Sequence, residues 1–300
     1  VIENRTLQNL YEAPLMLEKS GFSDVVCREL QIDAPKPNLE EWKQMVDRIR
    51  NRSEEVHIGL VGKYVKLHDA YLSVAEAMNH AGYEENAFVK IHWIDSEGIT
   101  RETVNDVLHG LDGIIVPGGF GSRGIAGMIL SAKYARENRI PYFGICLGMQ
   151  IAVIEFARHV LGLTDAHSGE FDEQCAHRVI DFMPGQSGEI DKGGTLRLGS
   201  YPCCIKAGTK MEECYGSEQI HERHRHRYEF NNEYRGELEK AGLVISGTSP
   251  DGRLVETIEL PEHPFFIGVQ FHPEFKSRPN QPHPLFKGFI SAALKQTEEK

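Results

Sequence analysis

The chain has little of what several large classes of protein need. Basic residues are outnumbered, 33 Lys and Arg against 44 Asp and Glu, for a formal net charge of −11. That balance offers no basic face to a polyanion and argues against nucleic acid as a partner. Long apolar runs are missing. None reaches the roughly 20 residues needed to cross a bilayer, and Val1-Ile-Glu-Asn-Arg5 has no mark of a secretory signal. A soluble, cytoplasmic chain without a membrane partner is the expectation. Cysteine is scarce as well: six residues, at 27, 146, 175, 203, 204 and 214, are too few to staple 300 residues, and reduced thiols are the simplest reading. There is no internal repeat. The first residue is not methionine, so the sequence reads as a piece of something longer.

What is there is organised around Ile140-Pro-Tyr-Phe-Gly-Ile-Cys146-Leu-Gly-Met-Gln150. A short apolar run reads as a buried strand, and from Leu147 the apolar residues Ile151, Ile154 and Ala157 take helical spacing. Cys146 sits at the change of period. Gly144-Ile-Cys146-Leu-Gly148 is the thiol counterpart of the Gly-x-Ser-x-Gly nucleophile elbow, where small neighbours let a strained strand-to-helix turn push the nucleophile into a cleft. The positive end of the helix favours a thiolate there. A buried cysteine serving only as a small hydrophobe is the bland alternative, and the flanking glycines speak against it.

Around this elbow, strands are expected at Val56–Val61, Ala87–Ile94 and Asp112–Val116. Helices alternate with them at about Asp69–His80, with Gly82 as the stop, at Thr103–His109, and from Gly124 to about Asn138. Such alternation predicts an α/β fold: a mostly parallel, open sheet with helices on both faces and sites at the carboxyl ends of the strands. After Gly162 strands neighbour strands. Pro184–Gly194 reads as a loop, Thr195–Lys206 and Glu222–Phe230 as strands, Arg235–Ala241 as a short helix, and Leu243–Thr248 with Arg253–Leu260 as a hairpin. Phe265–Phe271 is a last buried strand and Leu285–Lys295 a closing helix, so antiparallel strands are added to the parallel core. Residues 1–52 read as an approach to this domain: a helix over Thr6–Lys19, a break at Pro35-Lys-Pro-Asn38, and an amphipathic helix over Leu39–Asn51.

Two glycine motifs suggest nucleotide binding and fail on detail. Gly119-x-Gly121-x-x-Gly124 follows a strand, but the next strand ends in Cys146 rather than in a ribose-binding acid; Gly59-Leu-Val-Gly62-Lys63-Tyr64 has its glycines too close and no Ser or Thr after the lysine. Pro117-Gly-Gly-Phe-Gly121 instead supplies bare amides beside the elbow, and a donor near Gly119 together with the Leu147 amide would form an oxyanion hole. A thiolate also needs a base, and the base an orienter. His272 and Glu274, after the last apolar strand and pointing to one side if that strand continues through Pro273, complete a Cys-His-Glu triad candidate. In Glu222-Arg-His-Arg-His-Arg-Tyr-Glu229 the arginines 223, 225 and 227 share one strand face and His224 and His226 the other. A metal held by His221, His224, His226 and Cys214 would be repelled by those arginines, so no metal is expected; guanidinium groups suit a carboxylate or phosphate.

Pro117-Gly-Gly-Phe-Gly121, Gly144-Ile-Cys-Leu-Gly-Met-Gln150 and Phe271-His-Pro-Glu274 resemble the three motifs of the class I, triad-type glutamine amidotransferases. Val61-Gly-Lys-Tyr64, Gly119–Gly124, Ser168-Gly-Glu-Phe171, Gly193–Gly199 and Glu222–Glu229 are similar to the glutaminase half of the CTP synthase family, the likeness running from about Val56 to Ala293. The resemblance implies a glutaminase domain over 53–300, preceded over 1–52 by a linker and the end of a synthetase domain. It implies hydrolysis of L-glutamine by Cys146, His272 and Glu274, with Glu170 on the α-amino group and Arg227 on the α-carboxylate. Gly119, Leu147, Gly148, Met149 and Gln150 would complete the glutamine site. Ammonia would tunnel to the synthetase domain, which uses ATP and Mg²⁺ to aminate UTP to CTP in a homotetramer, with GTP as activator close to Phe120, Arg123 and the arginine run. The chain lacks the synthetase phosphate loop and so should not make CTP alone, and Ala126 replaces an acid common in the family's lid. A free-standing γ-glutamyl hydrolase and a catalytically silent assembly module are the rival readings.

Overall fold

The structure is a computed structural model that describes residues 2–182 and 196–298. The first part of the chain forms α1 (Ala13–Lys19), α2 (Phe22–Leu30), α3 (Glu40–Arg50), β1 (Glu54–Gly62), α4 (Leu72–Glu84), β2 (Ala87–Asp95), α5 (Val104–Leu108) and β3 (Gly113–Val116). Then come α6 (Ile125–Glu137), β4 (Tyr142–Ile145), α7 (Leu147–His159), β5 (His167–Ser168) and β6 (Arg178–Phe182). The remainder is β7 (Arg197–Ile205), α8 (Lys210–Tyr215), β8 (Gln219–His226), β9 (Tyr228–Phe230), α9 (Arg235–Lys240), β10 (Val244–Thr248), β11 (Val255–Glu259), β12 (Phe266–Val269) and α10 (Pro284–Glu298).

One nine-stranded sheet runs in the order β2-β1-β3-β4-β12-β11-β10-β7-β8. Its first five strands are mutually parallel and the rest pair antiparallel, which is the mixed architecture expected. The period of two sorts the side chains onto two faces. Tyr142 joins the core under α6 and α7, while Phe143 and Ile145 join the core under α4 and α10, where Phe143 meets Phe286 and Phe289. Helix α7 is buried on every side from Leu147 to Ala157, because a three-stranded sheet, β5-β6-β9, covers the side that the main sheet does not. The three parallel strands that matter most, β3, β4 and β12, lie side by side, so their carboxyl ends open at one place.

Several details depart from the sequence reading. Gly82 does not stop α4, which runs on to Glu84; the residue is small because a Cβ there would lie 2.7 Å from the Ala87 carbonyl oxygen and 2.8 Å from Val89. The strand expected over Glu222–Phe230 is two strands in two sheets, β8 pairing with β7 and β9 with β6, and the break falls at Arg227. After β12 the chain does not stay extended: Pro273–Phe275 is a 3-10 turn. The first helix starts only at Leu10, as a 3-10 turn. Helices α2 and α8 and strands β5 and β6 were not foreseen; α2 leaves Phe22 and Leu30 exposed and so shows no buried stripe to read. The loop at Pro184–Gly194, the strand start at Thr195 and the glycines of Gly193-Gly-Thr195 lie outside the described residues. Among the described residues no helix is long and apolar enough to cross a membrane, and no group of side chains could hold a metal ion.

Candidate active site

Cys146 joins β4 to α7 at φ 53° and ψ −100°, a conformation that costs a residue with a Cβ about 1–3 kcal/mol. The neighbours make it possible. A Cβ at position 144 would stand 2.5 Å from Gly148 backbone atoms, and one at position 148 would stand 2.0 Å from the Val116 carbonyl oxygen, so the helix start approaches β3 and β4 closely only because both residues are glycine. The amides of the first turn of α7, Leu147 to Met149, have no acceptor within the helix and carry its positive end.

His272 reaches this sulfur from the next strand. It follows β12 by three residues, and β12 pairs with β4 in register up to Val269 and Ile145. Its Nδ1 is 2.7 Å from Glu274 Oε1, both residues being nearly buried. The 3-10 turn, rather than an extended strand, brings carboxylate and ring together. The other ring nitrogen, Nε2, has no hydrogen-bond partner among the described residues, and it is the one left for the sulfur. Burial works against a charged imidazole here, but Cys146 and Glu274 together outweigh it and raise the His272 pKa to about 10. The result is an imidazolium held beside the sulfur.

Two cavities open at Cys146 and share Gly119 and Phe120 as walls. The first is bounded by Gln150, Glu170, Arg227 and Tyr228, so an acid, a guanidinium and Cys146 line one small space. The strand break puts Arg227 there: Arg223 and Arg225 stay on the outer face of β8, where the row expected from sequence does hold, but Arg227 leaves the row as the chain passes to β9. The second cavity contains Arg225, Tyr64, Tyr71, His272 and Phe275, and the Arg225 guanidinium stands 6.0 Å from the centre of the exposed Phe120 ring. Arg123 lines neither cavity; it is held by Glu97 at 2.6 Å, by the Lys63 carbonyl at 2.7 Å and beneath the Tyr64 ring. Leu147 and Met149 point their side chains into the core, and with Gly148 they offer the site only backbone.

Two groups that the sequence reading left without a role stand at the site, and a third lies behind it. Gln270 Nε2 lies 3.6 Å from the Cys146 sulfur; it precedes His272 by two, a same-face spacing that could have drawn attention to it. Lys63, buried in the turn after β1, donates to the carbonyls of Phe120, at 3.1 Å, and of Gly121. Burial pushes its ammonium down to about 8, opposed by Glu170, whose carboxylate accepts from the Gly121 amide at 3.0 Å. Behind the site lies a buried polar cluster. His224 and His226, bonded to each other at 2.9 Å, are driven by burial to about 2 and about 3 and stay neutral, while Arg197 bridges Glu256 at 2.6 Å and Glu229 at 3.6 Å.

The family model for class-I glutamine amidotransferases matches residues 66–292. CTP synthases from Listeria innocua and Bacillus subtilis are 57% and 54% identical to the chain, covering 98% and 100% of it but 55% and 56% of those proteins. The chain thus spans about half the length of these curated relatives. Among solved structures, the Trypanosoma brucei CTPS glutaminase domain with bound acivicin superposes with a TM-score of 0.76 at 42% identity, over 80% of this chain and 94% of that one. On this footing the chain belongs to the class-I glutamine amidotransferase family, beside the glutaminase domains of CTP synthases.

Proposed function

We propose that the chain hydrolyses L-glutamine to glutamate and ammonia. The observation that carries this reading is the strained Cys146 with His272 and Glu274 on one side and, on the other, a cavity closed by Glu170 and Arg227. Glu170 would hold the substrate's α-ammonium and Arg227 its α-carboxylate, a pairing that selects a free amino acid. The thiolate attacks the side-chain carboxamide carbon, and the carbonyl electron pair moves to oxygen, where amides of Gly119 and Leu147 would receive it. The imidazolium of His272 gives its proton to the departing nitrogen, ammonia leaves, and a thioester remains. Water then attacks with neutral His272 taking its proton, and the thiolate departs from the second tetrahedral intermediate. Glu274 keeps the ring oriented throughout.

By kinship with the CTP synthases, the whole protein would pass the ammonia to a synthetase domain that aminates UTP with ATP and Mg²⁺, as a homotetramer in the cytoplasm. Residues 1–52 would be the end of the synthetase domain and the linker, and 53–300 the glutaminase domain. The linker has its own small core of Met45, Val46 and Ile49 with Tyr11 and Trp42, resting on Tyr83 of α4. GTP, as activator, finds its chemistry in the second cavity, where Phe120 offers a ring to a purine and Arg225 a charge to a phosphate. Glutamate release by the purified chain, with and without GTP, tests the reading. Cys146→Ala should abolish it while the protein still folds; persistent release would remove Cys146 as nucleophile.

A further inference from the structure

Gln150, Gln270 and Cys146 form a buried chain of hydrogen bonds whose direction is fixed from one end. The Tyr228 backbone offers Gln150 only a carbonyl oxygen, so Gln150 must present its side-chain nitrogen, at 3.1 Å. The same nitrogen donates to Gln270 Oε1 at 3.2 Å. With its oxygen so occupied, Gln270 can turn only its nitrogen to the Cys146 sulfur, 3.6 Å away. Gln150 and Gln270 are 3% and 0% exposed, so water does not compete for these bonds. A flipped amide would set oxygen against oxygen at one link or against the sulfur at the other.

We propose that Gln270 is a catalytic residue, donating a hydrogen bond to the Cys146 sulfur that favours thiolate over thiol, and that Gln150 is a positioning residue transmitting the direction set by the Tyr228 carbonyl. The proposal rests on Cys146 being the nucleophile. An amide neither gives nor takes a proton, so Gln270 changes no atom balance. Its bond is strongest when the sulfur bears charge, before attack and again as the sulfur leaves the thioester, and weakest in the acyl state between. His272 is the cation of the pair; Gln270 is a neutral second donor whose aim does not depend on pH. The charged and titratable groups lining the two cavities that meet at the sulfur are His272, Glu274, Arg225, Arg227, His226, Glu170, Asp69, Tyr64, Tyr71 and Tyr228.

The test is the pH dependence of Cys146 alkylation by chloroacetamide, followed on the Cys146 peptide by mass spectrometry. In Gln270→Met the acid-side midpoint should rise by roughly one pH unit, since one donor to the charged form is lost. Gln270→Glu keeps the shape but turns acceptor toward sulfur, and should move it further. Gln150→Met leaves Gln270 whole but unclamped, and should move it less; it also reads the relay should Gln270→Met not fold. An unmoved midpoint in folded Gln270 variants overturns the proposal. Glutamine turnover surviving in Cys146→Ala would instead overturn the nucleophile itself, so the two failures are told apart.

Discussion

At the scale of single residues, Cys146 was readable because a glycine stands two positions away on either side, and any larger residue there would collide with the backbone of β3 or α7. Gln270 was not read because an amide has no titration and no motif of its own. Its meaning comes from what Gln150 and Tyr228 do to its orientation, and that is a spatial fact. His272 was legible as a base, but the size of its perturbation was not. The folded chain keeps the His272 proton until about pH 10, whereas an unfolded chain releases it at roughly 6.5. The stability so gained is whole below about pH 6.5 and is lost as pH rises toward about 10. The melting-temperature gap between wild type and His272→Gln should therefore be widest near about pH 6 and narrow steadily with alkalinity; a gap that grows would contradict the raised value.

At the scale of elements, the parallel half of the sheet was legible from strand and helix alternating, and the hairpin of β10 and β11 from Pro250-Asp-Gly252 between two apolar runs. The break between β8 and β9 was not, since the alternation of Glu222–Phe230 carries no mark of a change of sheet. That break delivers Arg227 to the first cavity, so Arg227→Ala should raise the glutamine KM by roughly 10- to 100-fold with a smaller change in kcat. Arg225→Ala, on the unbroken strand, should leave glutamine KM nearly unchanged. The loop after β3 depends on Lys63, which ties down two of its carbonyls. Lys63→Met should cut kcat by roughly 10- to 100-fold by misplacing the Gly119 amide, while alkylation of Cys146 proceeds at the wild-type rate. Equal loss of both would mean general unfolding rather than a displaced loop.

At the scale of the whole molecule, the family was carried by three short motifs that converge because β3, β4 and β12 are neighbours. The buried cluster around Arg197 escaped notice because its members come from β7, β8, β11 and the residue Glu229 in β9, and only the assembled core brings their charges together. The sulfur and the imidazole stand on adjoining central strands, whereas Glu170 and Arg227 hang on the small sheet that overlies α7. Warming should part these two fortunes. Short strands at the margin loosen before a nine-strand centre does, so KM for glutamine should climb at temperatures where the thiol still reacts with chloroacetamide as fast as ever. The protein would forget its substrate before it lost its weapon.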